Sequence, residues 1–337
     1  MMLKKSNLLV LVMASLFFFW MPEVLAHVKW FVPLDGKVDP NFMRYALNDP
    51  AVLTWAFIAM VLICGSVVLD ARLPSYPLND SRARSVAIVV LRVLTGISLL
   101  LTAYNGSVIA PHYQWDSSFS DALIIFEALV GVLFILNVFV FYASTLLVGV
   151  YCSLALKFGF FEVLEYLNMV GIGLFLLFNN LKNSVYHEKL LPYSVPVLRI
   201  LTGIALVTLG LSEKLLAAEY GEAFVATYDW NFMQNMGLEG FSDRLFVLSA
   251  GVMEVVFGTI LILGTTTRLN ILVVSGFMLT SNIAFFVEGN ISEAVVEVIG
   301  HLPIIATAVI CVFFGSGQRL KITSRFKNKR KTQLSSH

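Results

Sequence analysis

The chain has 337 residues, of which 58% are hydrophobic and 13% charged, and its net charge is +1. A soluble globular domain carries about 25% charged residues. About half that density, with several windows of about 20 almost uncharged residues, excludes a soluble fold and places the bulk of the chain in a bilayer. The charge is also unevenly spread. The last 19 residues hold seven Lys/Arg and no acid, a tail suited to stop-transfer and anionic lipid rather than to nucleic acid.

In chain order, Lys4 and Lys5 precede the apolar run "LLVLVMASLFFFWM", which Pro22 ends before the small Ala26. This pattern predicts a secretory signal over 1–26 and an exported segment over 27–50. His27 would then begin the mature chain, where a terminal amine and its own imidazole form a candidate copper chelate. A plain mature start is the simpler reading. Nine apolar spans follow, near 51–69, 86–104, 120–139, 142–158, 162–180, 195–216, 244–264, 268–287 and 294–314. Helices are expected, because lipid offers no partner to backbone groups. With the N-terminus outside, the inside loops hold Arg72, Arg82, Arg84, Lys182, Lys189, Arg268 and the basic tail. The outside loops 105–118, 218–242 and 288–292 hold no Lys or Arg. An odd number of spans is required by an exported N-terminus and an inside C-terminus.

The chain repeats itself. "VLRVLTGI" from Val90 matches "VLRILTGI" from Val197, pairing Arg92 with Arg199 and Gly96 with Gly203. "FSD" then recurs before a Glu-x-x-x-Gly pair, Glu127 with Gly131 and Glu254 with Gly258. Each unit ends in a fourth span preceded by acids, Glu162 and Glu165 in one, Glu293 and Glu297 in the other. The predicted fold is an all-α integral membrane protein of about nine transmembrane helices. One extra helix and its inside loop (51–85) precede two tandem four-helix bundles of the same orientation (86–181 and 193–317), each compact and packed side by side, then a basic inside tail (318–337).

The second unit resembles the DoxX family of small four-helix bacterial membrane proteins over about Val197 to Gly317. The resemblance is carried by Arg199, Gly203, Gly210 and Lys214 in the first helix, the Glu254/Gly258 pair, the "LGTTTR" turn with Gly264 and Arg268, and "FFGSG" at the end. The first unit departs from this pattern: it lacks the Gly-x-x-x-Arg turn and any counterpart of His301. The resemblance implies a bacterial inner-membrane location and an association with thiol, sulfur or quinone-linked redox systems and with partner oxidoreductases.

Ionisable groups inside a span cost at least about 2.5 kcal/mol each near its centre, so they mark pairing or function. Glu293, Glu297 and His301 lie at i, i+4 and i+8, one helix stripe reaching about 12 Å inward. Glu254 is expected about 15 Å deep from the same side. Glu213 and Lys214 approach from the end of 195–216, and Asn282 sits near the end of 268–287. These seven residues form the candidate polar site. Four readings stand: an ion-pair network fixing helix register, a quinone head-group site, a metal site on Glu293, Glu297 and His301, and a conducting path. Arg92 and Arg199 either snorkel to the inner interface or capture an anionic group or a helix end. Cys64, Cys152 and Cys311 are scattered in apolar segments and give no CxxC or disulfide framework. The sequence has no phosphate loop, no Ser/His/Asp ordering and no dinucleotide fingerprint. The functional expectation is a membrane component of a quinone-linked or thiol/sulfur redox system, catalytic or not. The alternatives are a non-catalytic scaffold subunit for a partner oxidoreductase and a transporter of protons or small solutes.

Overall fold

The computed structural model describes residues 43–73, 81–287, 289, 291–317 and 319–323. The signal segment and His27 lie outside the described residues, as do the side chains of Asn282 and Glu293. The fold is all helical, 78% helix with no strand among the described residues. The long helices are α1 (Pro50–Arg72), α2 (Ser81–Tyr104), α3 (Ser118–Leu136), α4 (Val140–Phe158) and α5 (Leu167–Asn179), the last preceded by a 3-10 turn, Leu164–Tyr166. A short α6 (Ser184–Leu190) leads to α7 (Ser194–Gly210), which runs on as a π-helical turn, Leu211–Leu215. Two short helices, α8 (Ala218–Tyr228) and α9 (Phe232–Asn235), precede α10 (Asp243–Leu263), α11 (Thr267–Val287) and α12 (Ile291–Phe314).

Local chemistry sets the ends. Asp49 caps α1 by accepting from the Ala51 amide at 2.9 Å, with Pro50 opening the helix. Ser117 and Ser242 cap α3 and α10 in the same way. Asn137 and Gly264 stop α3 and α10 in left-handed conformations.

Among the described residues, seven helices are long and apolar enough to cross a membrane. The segment read from sequence as a span near 162–180 is a shorter apolar helix, Leu164–Asn179, while that near 268–287 is the 21-residue α11, apolar over its continuously described part Thr267–Thr280. The shortness of the former has a local cause. The tight turn at Leu164–Tyr166 leaves α5 only 13 residues, about 20 Å against a hydrocarbon core of about 30 Å.

The helices do not form two bundles side by side. α2 packs on α3 and α7 on α10, as expected within each unit. But α5 packs chiefly on α7, and α12 chiefly on α2, so the fourth helix of each unit lies against the first helix of the other. Ala306 and Ile310 of α12 join Leu91, Leu99, Leu147, Ile172 and Leu198 in one core. Small residues permit this exchange. A Cβ added at Gly171 of α5 would stand 3.2 Å from the Leu198 carbonyl oxygen of α7. α1 lies outside this assembly, against α10, with its apolar side chains largely exposed.

Candidate functional site

The helix crossings that position the site are glycine contacts. A Cβ on Gly203 would stand 2.6 Å from the Gly258 carbonyl oxygen, and one on Gly96 2.8 Å from that of Gly131. Backbones this close leave no room for side chains at the crossing, so the polar residues beyond it converge. Glu254 lies one turn before Gly258, and the π-turn after Gly210 brings Lys214 beside it. Such turns re-aim side chains by one residue and recur at functional sites.

Lys214 Nζ donates to Glu213 Oε2 at 3.2 Å and to Glu254 Oε2 at 3.1 Å. One turn apart on α12, His301 Nδ1 stands 2.8 Å from the Glu297 main-chain oxygen and 3.3 Å from Glu297 Oε1. A carbonyl only accepts, so Nδ1 carries the proton and Nε2 of the neutral ring is an acceptor. The Pro303 that follows cannot donate to the preceding turn of α12.

Glu213, Lys214, Glu254, Glu297 and His301 all line one cavity of about 990 Å³, at the upper end of the range for small-molecule sites. Its remaining walls are mostly apolar, with Phe257, Leu261, Ile271, Phe277, Ile305 and Val309 among them, broken by hydroxyls such as those of Thr202, Ser249, Ser275 and Thr307. The polar end is covered by α8, whose Gly221 packs on Val247, and by Trp230, Phe232, Phe241 and Phe246. The Arg44–Glu219 ion pair and Arg244 over the Tyr45 ring, 3.6 Å from its centroid, tie residues 43–49 to this cover. On one flank the cavity reaches the outer surface. Leu279 and Ile283 of α11 line it while being 62% and 51% exposed, and α11 packs chiefly on α12 and only lightly on α10.

Of the seven predicted site residues, five thus meet at one cavity end; Asn282 and Glu293 have undescribed side chains. Among the described residues no group of three His, Cys, Asp or Glu side chains could hold a metal ion. Sequence reasoning missed Glu165 and Trp55, which line the same cavity, and the aromatic cover. Glu165 was visible as an acid before a span, but its place depends on the exchange of α5 onto α7.

The first unit closes where the second opens. Glu127, the counterpart of Glu254, is fully buried and accepts from Thr102 Oγ1 and, at 2.7 Å, from the Ile109 amide. The chain after Tyr104 folds inward, burying Val108, Ile109 and Ala110 over the carboxyl group.

At the opposite end the two arginines bind helix ends. Arg199 is fully buried and donates to the carbonyls of Leu261 and Ile262 at the end of α10, and of Ser316 and Leu320. Arg92 donates to the Phe134 carbonyl at the end of α3 at 2.7 Å. Cations there satisfy carbonyls that the helix leaves unpaired. Nearby, Asp70 of α1 holds Lys321 at 2.8 Å, together with Thr323 and the Thr266 amide.

Comparison with protein-family models, with curated proteins and with solved structures gave no match.

Proposed function

We propose that the chain binds an amphipathic ligand of the isoprenoid-quinone type in the α7–α10–α11–α12 cavity, as a membrane component of a redox system. The observation that carries this reading is the cavity's polarity: a large, mostly apolar cavity whose charged lining residues gather in the bonded groups Glu213–Lys214–Glu254 and Glu297–His301. A hydrocarbon tail fits the apolar part. The polar end sets four carboxyl groups, Glu165, Glu213, Glu254 and Glu297, against one ammonium and one imidazole, so it favours a head group that donates hydrogen bonds or protons over an anion. The exposed flank at Leu279 and Ile283 lets such a ligand enter from lipid rather than from water.

The finer topology belongs to the same proposal: nine spans, a duplicated DoxX-like unit, an inner-membrane location with the N-terminus outside, and a partner oxidoreductase. Duplication is supported by matched contacts. Arg92 with Phe134 repeats Arg199 with Leu261, and Gly96 with Gly131 repeats Gly203 with Gly258. A second reading, a scaffold in which the charges fix helix register, is favoured by Lys214 being held by two carboxylates and His301 by Glu297.

The test is extraction and mass spectrometry of the protein purified in mild detergent. The wild type should retain an isoprenoid quinone, and Lys214→Met and His301→Phe should lose it while remaining folded. A wild-type protein that retains no isoprenoid lipid and fails to bind a decyl-chain quinone would leave the scaffold reading standing.

A further inference from the structure

The polar end of the cavity continues into the first half of the chain. Glu165, in the turn that opens α5, lines it along with Glu213, Lys214 and His301. A second cavity of about 40 Å³ links two of these groups: Glu165 and His301 both line it, with Ser98, Tyr166 and Asn168. Most of its wall is apolar, but one water needs only about 10–15 Å³ measured this way, so the space beside these polar groups can hold water between the imidazole and the carboxyl group. On its far side Glu165 Oε1 stands 3.7 Å from His112 Nε2. His112 belongs to the loop after α2, and its side chain is 15% exposed.

The neighbours of Glu165 narrow its partners. Tyr113 is buried, and its hydroxyl donates to the Glu162 carbonyl at 2.9 Å. Burial first, then the charges of Glu165 and Glu162, raise the Tyr113 pKa, so it remains a neutral phenol. Tyr151 likewise commits its proton to the Val163 carbonyl at 2.9 Å. Asn168 does not titrate, and Glu213 faces the large cavity under Lys214. His112, and His301 across the small cavity, are titratable groups beside Glu165.

We propose that Glu165 and His112 form a proton path between the polar end of the large cavity and the surface at the α2–α3 loop. A proton leaving a ligand hydroxyl passes to His301 Nε2, through water in the small cavity to the Glu165 carboxylate, and then to His112, which releases it. Each group returns to its starting state and no electron moves in the transfer. A histidine at the exposed end suits this role because its charge changes near neutral pH. The proposal rests on the reading of the large cavity as a site for a ligand with a protonatable head, and the test separates the two.

The probe is 2-heptyl-4-hydroxyquinoline N-oxide, a quinol mimic whose absorption changes when its hydroxyl ionises. It is added at saturating concentration to nanodiscs holding the wild type, Glu165→Gln or His112→Phe, and the bound probe is followed after a pH jump. Protonation should slow by about a hundredfold or more in both variants, the lower end of what a positioned acid–base group contributes. His112→Phe alters a partly exposed loop, so it carries the test if Glu165→Gln does not fold. Wild-type rates in either folded variant overturn the path and leave the ligand site intact. Failure of the probe to bind the wild type overturns the ligand reading itself, and the path with it.

Discussion

Replacing Lys214 by Met tests how the cavity's polar end is held. Lys214 bonds two carboxylates, Glu213 at 3.2 Å and Glu254 at 3.1 Å, and the three side chains are 17%, 1% and 23% exposed. Breaking a buried pair by removing one partner costs about 3–5 kcal/mol, because the other charge is left unpaired. Here Lys214 and Glu254 keep part of their surface exposed, so a cost of about 2–4 kcal/mol is expected. Two carboxylates would then face each other without a cation. Neutralising one of them should therefore relieve the damage: Lys214→Met/Glu254→Gln should be less destabilised than the sum of the two single variants by about 1–3 kcal/mol. Reversible unfolding in bicelles, followed by steric trapping, measures all four corners of the cycle. A Lys214→Met protein within about 0.5 kcal/mol of the wild type, or strictly additive variants, would show that the three groups do not act as a unit.

Other outcomes follow from the same structure. Gly203→Val should destabilise by at least about 1–3 kcal/mol through overpacking, since even a Cβ would stand 2.6 Å from the Gly258 carbonyl oxygen; a thermal melt in detergent checks it. Glu127→Gln should stay within about 1 kcal/mol of the wild type, whereas Glu127→Ala should cost about 1–3 kcal/mol by leaving the Ile109 amide without its acceptor. For Tyr113 the sign is set by a folded pKa above the unfolded value of about 10. Its contribution is complete below that pH and is lost as pH rises, when the unfolded chain ionises first. Tyr113→Phe should therefore flatten the alkaline loss of stability, read from melts between about pH 9 and 11.

The legible part of this fold is what apolar runs and end signals determine one helix at a time. Each predicted span coincides with a helix, and Gly264 and Asn137 end theirs as small or left-handed-tolerant residues do. Convergence of Glu213, Lys214, Glu254, Glu297 and His301 was also legible, because depth along a helix follows from residue count alone. What the pattern hides is partnership between helices. An apolar face on α5 is equally satisfied by the first helix of its own unit or of the other, since lipid and protein are alike apolar there. The choice is made by shape, at small residues such as Gly171, and shape has no periodic signature. Glu165 was missed for this reason. The length of α5 was misread for another: Val163, Leu164 and Tyr166 around Glu165 make the turn look like the start of a span.

The two halves of the sequence treat matching glutamates differently. Both place a glutamate one turn before the glycine of the crossing, at Glu127 and Glu254. In the first, the helix ends at Tyr104 and Gly106 takes a positive φ of 71°, which lets residues 107–110 fold back over the carboxyl group. Its carboxyl group is then fully buried, accepting from a hydroxyl and an amide. In the second, the helix continues through a π-turn, Lys214 replaces the hydroxyl and amide as donor, and the chain turns back only at Ala217 to cover the cavity from above. The glutamate is thus common to both halves, while the length of the preceding helix decides whether it is sealed or faces a cavity. Extending α2 by replacing Gly106 and its neighbours with helix-favouring residues should open space beside Glu127. Binding of a small apolar probe in the first half, absent from the wild type, would be the measure of it.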